Sequence, residues 1–444
     1  MLSPIQRESA SGLDAARHYV LVCSACGRRQ DDDGLILHCP EDHPLALLRT
    51  DYENRVFKPF TERKGLFRYQ NWLPVVGRQE DVGCTVVYRS QRLARELGLG
   101  NLWIAFNGYW PERDVTLETA TFKELEAYTV LGRLAGNRVV LTVASSGNTG
   151  AAFAWACSRR RVPCLIVVPE KSLHRFRFRE PLDPCVKLVS VEDGDYPDAM
   201  DLAATVSKMP HFQAEGGVKN VGRRDGLATV MLAAFEEMQC LPTHYFQAVG
   251  SGTGAIAVLE AARRLLEASG TAAVLPRLML CQNLPFTPIY EAWRMNRNSL
   301  SGSPERFRDA VGRVHADELT NWTPPYEVRG GVYDSLTASA GDVLAAENAA
   351  VRIARDMFAD LEGIDMEPAS GVALACLRDA VAQGTVDAKS TVLLNVTGGG
   401  RLRLGKDHSL IPAEPDLRLS RSSLTDETAG YKIAALCASS ELAV

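Results

Sequence analysis

No stretch of this sequence approaches the ~18–20 consecutive apolar residues that a membrane-spanning helix requires. The first twenty residues have no apolar core and carry Arg7, Glu8, Asp14 and Arg17, so no secretory signal is expected there. Basic charge is not in excess. Lys+Arg number 49 against 54 Asp+Glu, for a net charge of −5, which argues against a nucleic-acid binder. Internal repeats and low-complexity tracts are missing, and 46% hydrophobic residues exclude wholesale disorder. A disulfide framework is not indicated either. The eleven cysteines are an odd number, and most sit in apolar stretches such as those around Cys157, Cys164 and Cys281. Reduced thiols and a cytoplasmic location are the expectation.

A chain of 444 residues exceeds a usual single core, so two domains are expected. Near the start, the segments Tyr19–Gly27 and Leu35–His43 read as two short strands flanking an Asp-Asp-Asp-Gly turn, Asp31 to Gly34. Cys23 and Cys26 form a Cys-x2-Cys pair, and Cys39 and His43 follow. This set suits a tetrahedral zinc site. A β-hairpin with free thiols is the other reading. Residues 65–75 are aromatic-rich, bounded by Gly and Pro, and read as an extended connector.

Beyond residue 138 the pattern becomes regular. Val139–Ala144 and Cys164–Val168 are continuous apolar runs, as expected of strands buried on both faces. A helix rich in small residues from Ala151 to Cys157 lies between them, so the unit predicts a parallel sheet with right-handed crossovers. Further strands are expected at Val186–Val191, Tyr245–Val249, Leu278–Cys281 and Val392–Val396. Helices are expected at Asp198–Met209, Ala255–Leu266, Val343–Phe358 and Gly371–Ala382. The segment beyond Pro412 is polar and reads as a tail.

Three strands run into glycine-containing turns, and open α/β sheets bind ligands beyond the carboxyl ends of strands. Gly250-Ser251-Gly252-Thr253-Gly254 precedes a helix and is a candidate phosphate cradle. It is not a P-loop, because no Gly-Lys-Ser/Thr ends it. Ser145-Ser146-Gly147-Asn148-Thr149-Gly150 offers a side-chain amide in a turn. Thr397-Gly398-Gly399-Gly400 follows the last strand. Upstream of all three, Lys123 sits just inside a predicted helix start capped by Thr119 or Thr121, with Glu124 in its first turn. Phe122, Leu125, Ala127, Val130, Leu131 and Leu134 give that helix an apolar stripe. The positive end of the helix dipole disfavours an ammonium there, and a neutral amine is what imine chemistry needs.

One lysine at a helix start, one Ser-Gly-Asn-Thr-Gly turn and one glycine-rich loop, in that order, resemble pyridoxal-phosphate enzymes of the tryptophan-synthase-β fold. The Cys-x2-Cys-Gly segment, Arg68-Tyr69 followed by Leu73-Pro74, and the last Thr-Gly-Gly-Gly resemble threonine synthase relatives. Among these the chain is most similar to the cysteate synthases, on Gly108–Glu112, Phe122–Ala127, Tyr245–Gly254, Gln282–Phe286 and Leu361–Asp365. The likeness spans about residues 20 to 405. It implies an α/β, fold-type-II architecture with two open parallel-sheet domains and a small N-terminal β-subdomain. Residues 1–60 would be that subdomain, 61–129 and 236–412 the larger cofactor domain, 130–235 the smaller one, and 413–444 the tail.

The resemblance also implies pyridoxal 5'-phosphate as cofactor, carried as an imine on Lys123, which would also move the Cα proton. Asn148 would meet the cofactor's phenolic oxygen, Gly250 to Gly254 its phosphate, and Thr397 its ring nitrogen. Ser145 and Ser146 would hold the substrate carboxylate. For a substrate anion the basic candidates are Lys64 and Arg68, the run Arg175 to Arg179, and Lys219, Arg223 and Arg224, with the last three leading. The implied reaction is β-replacement of O-phospho-L-serine by sulfite through an aminoacrylate, giving L-cysteate and phosphate. The alternatives are threonine synthesis from phosphohomoserine or β-replacement by another nucleophile. Small molecules are the expected partners of a homo-oligomer, with neither nucleic acid nor membrane.

Overall fold

The structure is a computed structural model that describes residues 17–77, 79–80, 82–134, 136–145, 147–270, 274–424 and 427–438. Two open sheets organise it. In the smaller sheet the strands run Phe212–Ala214, Val140–Ala144, Cys164–Pro169, Val186–Glu192 and Leu417–Ser420 in spatial order, all neighbours parallel. Alternate residues of these strands feed two different cores. Leu141, Val143, Ile166 and Val168 pack on one side, and Val140, Leu165, Val167 and Val189 on the other. A strand covered on both faces is apolar at most positions, which is why it reads as a run rather than an alternation.

The larger sheet follows the same logic. Its order is Asp342–Ala346, Arg277–Asn283, His244–Ala248, Thr391–Val396, Asn101–Phe106 and Val86–Arg89, with only the last pair antiparallel. Tyr245, Leu278 and Leu393 enter the shared central core, while Phe246, Met279 and Leu394 enter a second core beneath Asn348–Glu362 and Pro368–Ala382. The helices Lys123–Leu134 and Val221–Met238 cross in the central core. They approach so closely that a Cβ on Gly226 would lie 2.3 Å from the Leu125 carbonyl oxygen, so that position requires glycine. Among the described residues no helix is long and apolar enough to cross a membrane.

The N-terminal subdomain is a three-stranded antiparallel sheet with Tyr19–Cys23 between Arg29–Gln30 and Leu48–Tyr52. Buried ionic contacts dock it. Arg133 donates to both oxygens of Asp32 at 2.8 and 2.7 Å, and Tyr19 donates to the same carboxylate at 2.6 Å. Thr50 and Tyr52 donate to Asp225 at 2.6 and 2.7 Å.

Four expectations are corrected. The segment Leu35–His43 holds no strand; the partners of Tyr19–Cys23 are Arg29–Gln30 and Leu48–Tyr52, because residues 31–38 are drawn towards Arg133 instead. Residues 66–72 form a 3-10 helical turn with Leu66, Phe67, Tyr69 and Trp72 buried, not an extended connector. Val343 and Leu344 belong to a strand beside Arg277–Asn283, and the helix begins only at Asn348. The described residues of the segment 413–444 are not a loose tail. Leu417–Ser420 adds the fifth strand of the smaller sheet, and Ala429, Ile433 and Cys437 are buried against Ala199, Leu202 and Val206.

Candidate active site

The site forms where both sheets present their carboxyl-terminal strand ends. The strand Thr391–Val396 ends at Thr397, whose carbonyl accepts from the Phe122 N–H at 2.9 Å, and the Ala120 carbonyl accepts from Gly399 at 3.1 Å. These bonds fix where the helix Lys123–Leu134 starts. Thr121 Oγ1 accepts from the Lys123 N–H at 3.4 Å, and the Glu124 carboxylate takes the Thr119 N–H and hydroxyl. Lys123 Nζ lies 3.4 Å from Glu126 Oε2 and 4.8 Å from the Phe122 ring centre. Burial holds the Lys123 amine below its ordinary pKa. Glu126 opposes this and Arg223 reinforces it.

The strand Val140–Ala144 runs into Ser145. Its Oγ accepts the N–H groups of Gly147 and Gly150 at 3.1 and 2.8 Å, which caps the helix Asn148–Arg160. Asn148 begins that helix. Its amide donates to Glu367 Oε2 at 2.8 Å, and its oxygen accepts from Arg401 at 3.0 Å. The strand His244–Ala248 leads to the loop Gly250–Gly254, from which the helix Thr253–Ser269 starts. Gly252 is left-handed at φ 77°, and a Cβ there would meet Val332 Cγ2 at 2.5 Å. The Thr253 N–H turns to Ser251 Oγ at 3.3 Å and the Ala255 N–H to the Gly252 carbonyl at 3.0 Å, and the small residues keep this helix start, with its positive dipole end, accessible to an anion.

A cavity of about 680 Å³ gathers these elements. Lys123, Ser145, Asn148, Lys219, Arg223, Gly250 to Gly254 and Thr397 all line it. Ser146 lies outside the described residues. Arg224 is not brought into the cavity, which corrects its expected substrate contact. It is 1% exposed, donates to the carbonyls of Val218 and Leu48, and pairs with Glu260 at 3.2 Å. Lys64 and Arg68 line a different cavity, where Arg68 pairs with Glu236. Arg175 pairs with Asp317 and Arg179 with Glu118, while Phe176 and Phe178 alternate inward between them. Arg223 reaches the cavity but is clamped by Glu215 on both its oxygens and by Glu126 at 3.1 Å. Among the described residues, Lys219 lines the cavity without a carboxylate partner.

The carboxylates were missed. Glu126, Glu215, Glu318 and Glu367 all bear on the site. Glu126 was detectable, since it lies three residues after Lys123 on one helix face. The other three come from loops distant in sequence. Glu318 is pushed up to about 7 by burial and by neighbouring Glu367. Its Oε2, and the hydroxyl of Thr142 across the cavity, are buried without a hydrogen-bond partner among the described residues. Such orphaned polar atoms fit a cavity built for a polar guest. An amine biased towards neutrality, an anion-receptive helix start and a neutral hydroxyl at Thr397 fit pyridoxal phosphate in particular.

The pyridoxal-phosphate dependent enzyme family matches residues 79–398, and this chain belongs to it. Structural likeness agrees on the fold. Maize serine racemase superposes with a TM-score of 0.55 at 16% identity, covering 72% of this chain and 89% of that one. Diaminopropionate ammonia lyase from Escherichia coli gives 0.55 at 15%, covering 72% and 85%. This is a fold-type-II enzyme whose cofactor is pyridoxal 5'-phosphate. Within that class the chain belongs with the cysteate synthases. It is 44% identical over 413 residues to the cysteate synthase of Methanosphaerula palustris, covering 92% of this chain and 96% of that protein. The cysteate synthase of Methanosarcina acetivorans is 40% identical over 409 residues, covering 90% and 97%.

Proposed function

We propose that this enzyme replaces the phosphate of O-phospho-L-serine by sulfite, giving L-cysteate and phosphate. One observation carries the reading. A single cavity joins the Lys123 amine, an anion-receptive helix start and the unpaired cation Lys219, in a chain whose curated relatives are cysteate synthases. Pyridoxal phosphate bound at Lys123 supplies an electron sink that acidifies the substrate Cα–H. Lys123 takes that proton and, once the new C–S bond has formed, returns it to Cα. The Cβ–O bond breaks with its electrons leaving on phosphate, and the sulfite sulfur lone pair forms the Cβ–S bond.

The remaining side chains bind and orient. The loop Gly250–Gly254 holds the cofactor phosphate, and Asn148, fixed by Glu367 and Arg401, orients towards the cofactor's phenolic oxygen. Thr397 offers the ring nitrogen a hydroxyl rather than a carboxylate. Ser145 accepts two backbone bonds but has only a 3.3 Å contact to Gly147 O for its own hydrogen, which can turn to a substrate carboxylate. Lys219 meets the leaving phosphate and then the incoming sulfite, since both are anions at Cβ.

The test is product analysis with phosphoserine and a panel of nucleophiles. Cysteate and phosphate should appear in equal amounts with sulfite. Lys219→Ala should raise the KM for both anions at least ~10-fold, the effect of losing one charge-assisted contact, with cofactor absorbance unchanged. Threonine from phosphohomoserine, with no cysteate from phosphoserine, would overturn the proposal.

A further inference from the structure

The N-terminal subdomain gives the active cavity only apolar lining, Leu45 and Leu47, yet four of its metal-ligating side chains converge on one another. The ligand atoms of Cys23, Cys26, Cys39 and His43 all lie within 4.8 Å of one another. Cys26 Sγ and Cys39 Sγ are 3.7 Å apart, and Cys23 Sγ and His43 Nε2 are 3.3 Å apart. A zinc ion about 2.3 Å from sulfur and about 2.0–2.1 Å from nitrogen sets tetrahedral edges of about 3.8 Å between sulfurs and about 3.6 Å from sulfur to nitrogen. The observed separations sit close to those edges. They are far from the ~2.05 Å of a disulfide, and all four groups are free thiols or imidazole. We infer that Cys23, Cys26, Cys39 and His43 bind one zinc ion as a closed Cys3His site.

The surrounding backbone is built for it. The Cys-x2-Cys turn closes by a Gly27 N–H bond to the Cys23 carbonyl at 3.0 Å, with Gly27 left-handed at φ 74°. The Ala25 N–H points at Cys23 Sγ at 3.4 Å, a contact that supports a thiolate. His43 Nδ1 lies 2.7 Å from the Pro44 carbonyl. A carbonyl there requires the hydrogen on Nδ1, which leaves the Nε2 lone pair facing the sulfurs.

The site has a structural reason as well. His43 leads directly into Leu45 and Leu47, which line the active cavity. The Leu47 carbonyl accepts from Ser24, inside the knuckle, at 3.0 Å, and the Leu47 N–H donates to Arg329 O at 3.0 Å. The zinc therefore braces one wall of the cavity without touching its chemistry. All four ligands are protein groups, so no position is left for a substrate, as in structural zinc sites.

Metal analysis of the full-length holoenzyme, purified without metal-affinity resin, tests this. About one zinc per chain is expected, and X-ray absorption should show three sulfurs and one nitrogen. Cys39→Ser and the milder Cys26→Ser, at an exposed position, should lose most of the zinc. Cys240→Ser, at another exposed thiol, should keep it. Hydrogen exchange over residues 44–48 should quicken in the zinc-free variants, while cofactor absorbance persists. Holoenzyme with negligible zinc, an oxidised Cys26–Cys39 bond in reducing buffer, or zinc retained by Cys39→Ser would each overturn the inference. These readouts need no turnover, so they stand apart from the reaction proposed above.

Discussion

Arg223→Ala is the sharpest test of how the site is held together. Arg223 is 8% exposed and spans Glu215 and Glu126, themselves 4% and 0% exposed. Truncation leaves two buried carboxylates. Glu126 keeps Lys123 at 3.4 Å and the Thr149 hydroxyl at 3.3 Å, and Glu215 keeps the Gly217 N–H at 3.0 Å. Removing one partner of a buried pair costs about 3–5 kcal/mol, against about 0–1 kcal/mol for an exposed pair. The surviving contacts put the expectation near the lower end, about 3 kcal/mol at pH 8. The deficit should shrink as pH falls, because the orphaned carboxylates then take up protons in the folded state. Urea unfolding of holoenzyme between pH 5 and 8 reads this directly. Adding Glu215→Gln should recover part of the loss. Arg223 also helps hold the Lys123 amine low, so its removal should shift the acidic limb of kcat/KM to higher pH. A pH-independent deficit below about 1 kcal/mol, with an unmoved limb, would refute the reasoning.

Three other outcomes are expected. Lys123→Ala should abolish borohydride fixation of the cofactor to the chain, read by mass spectrometry, and lower turnover at least ~10²-fold. Gly252→Ala forces a Cβ onto Val332 at a left-handed position, so cofactor affinity should fall at least ~10-fold by equilibrium titration, as expected where a strained backbone position costs of order 1–3 kcal/mol. Glu124 is pushed up to about 7 by burial, from an ordinary 4.5, so its neutral form favours folding below pH 4.5 and that benefit disappears as pH rises through 7. Glu124→Gln should therefore gain on the native enzyme by about 3 kcal/mol between pH 5 and 8, at about 1.4 kcal/mol per pH unit, and parallel stability curves would contradict it.

The parts legible in the sequence were those with local physical causes. Val139–Ala144 and Cys164–Val168 announced themselves because a strand covered on both faces is apolar at nearly every position. Lys123 at a capped helix start and the glycine turns after strands were likewise local patterns, and the structure gathers them into one cavity. The four ligands inferred for zinc were visible as spacing, but only the tertiary fold brought Cys39 and His43 to within reach of Cys23 and Cys26.

Where the sequence misled, the deciding partner was distant. Leu417–Ser420 is four residues of mixed polarity, and it becomes a strand only because Val189–Glu192, more than two hundred residues earlier, offers an open parallel edge. Arg223 and Arg224 are neighbours in one helix, indistinguishable as cations. A rotation of about 100° per residue sends one towards the cavity and the other towards the Leu48 carbonyl and Glu260. Local pattern thus determined which residues could build a phosphate loop, a lysine site or a buried strand. The packing of Val221–Met238 against its neighbours decided which charges face the substrate, because helix rotation is set by the buried face as a whole and not by the charged residues it carries.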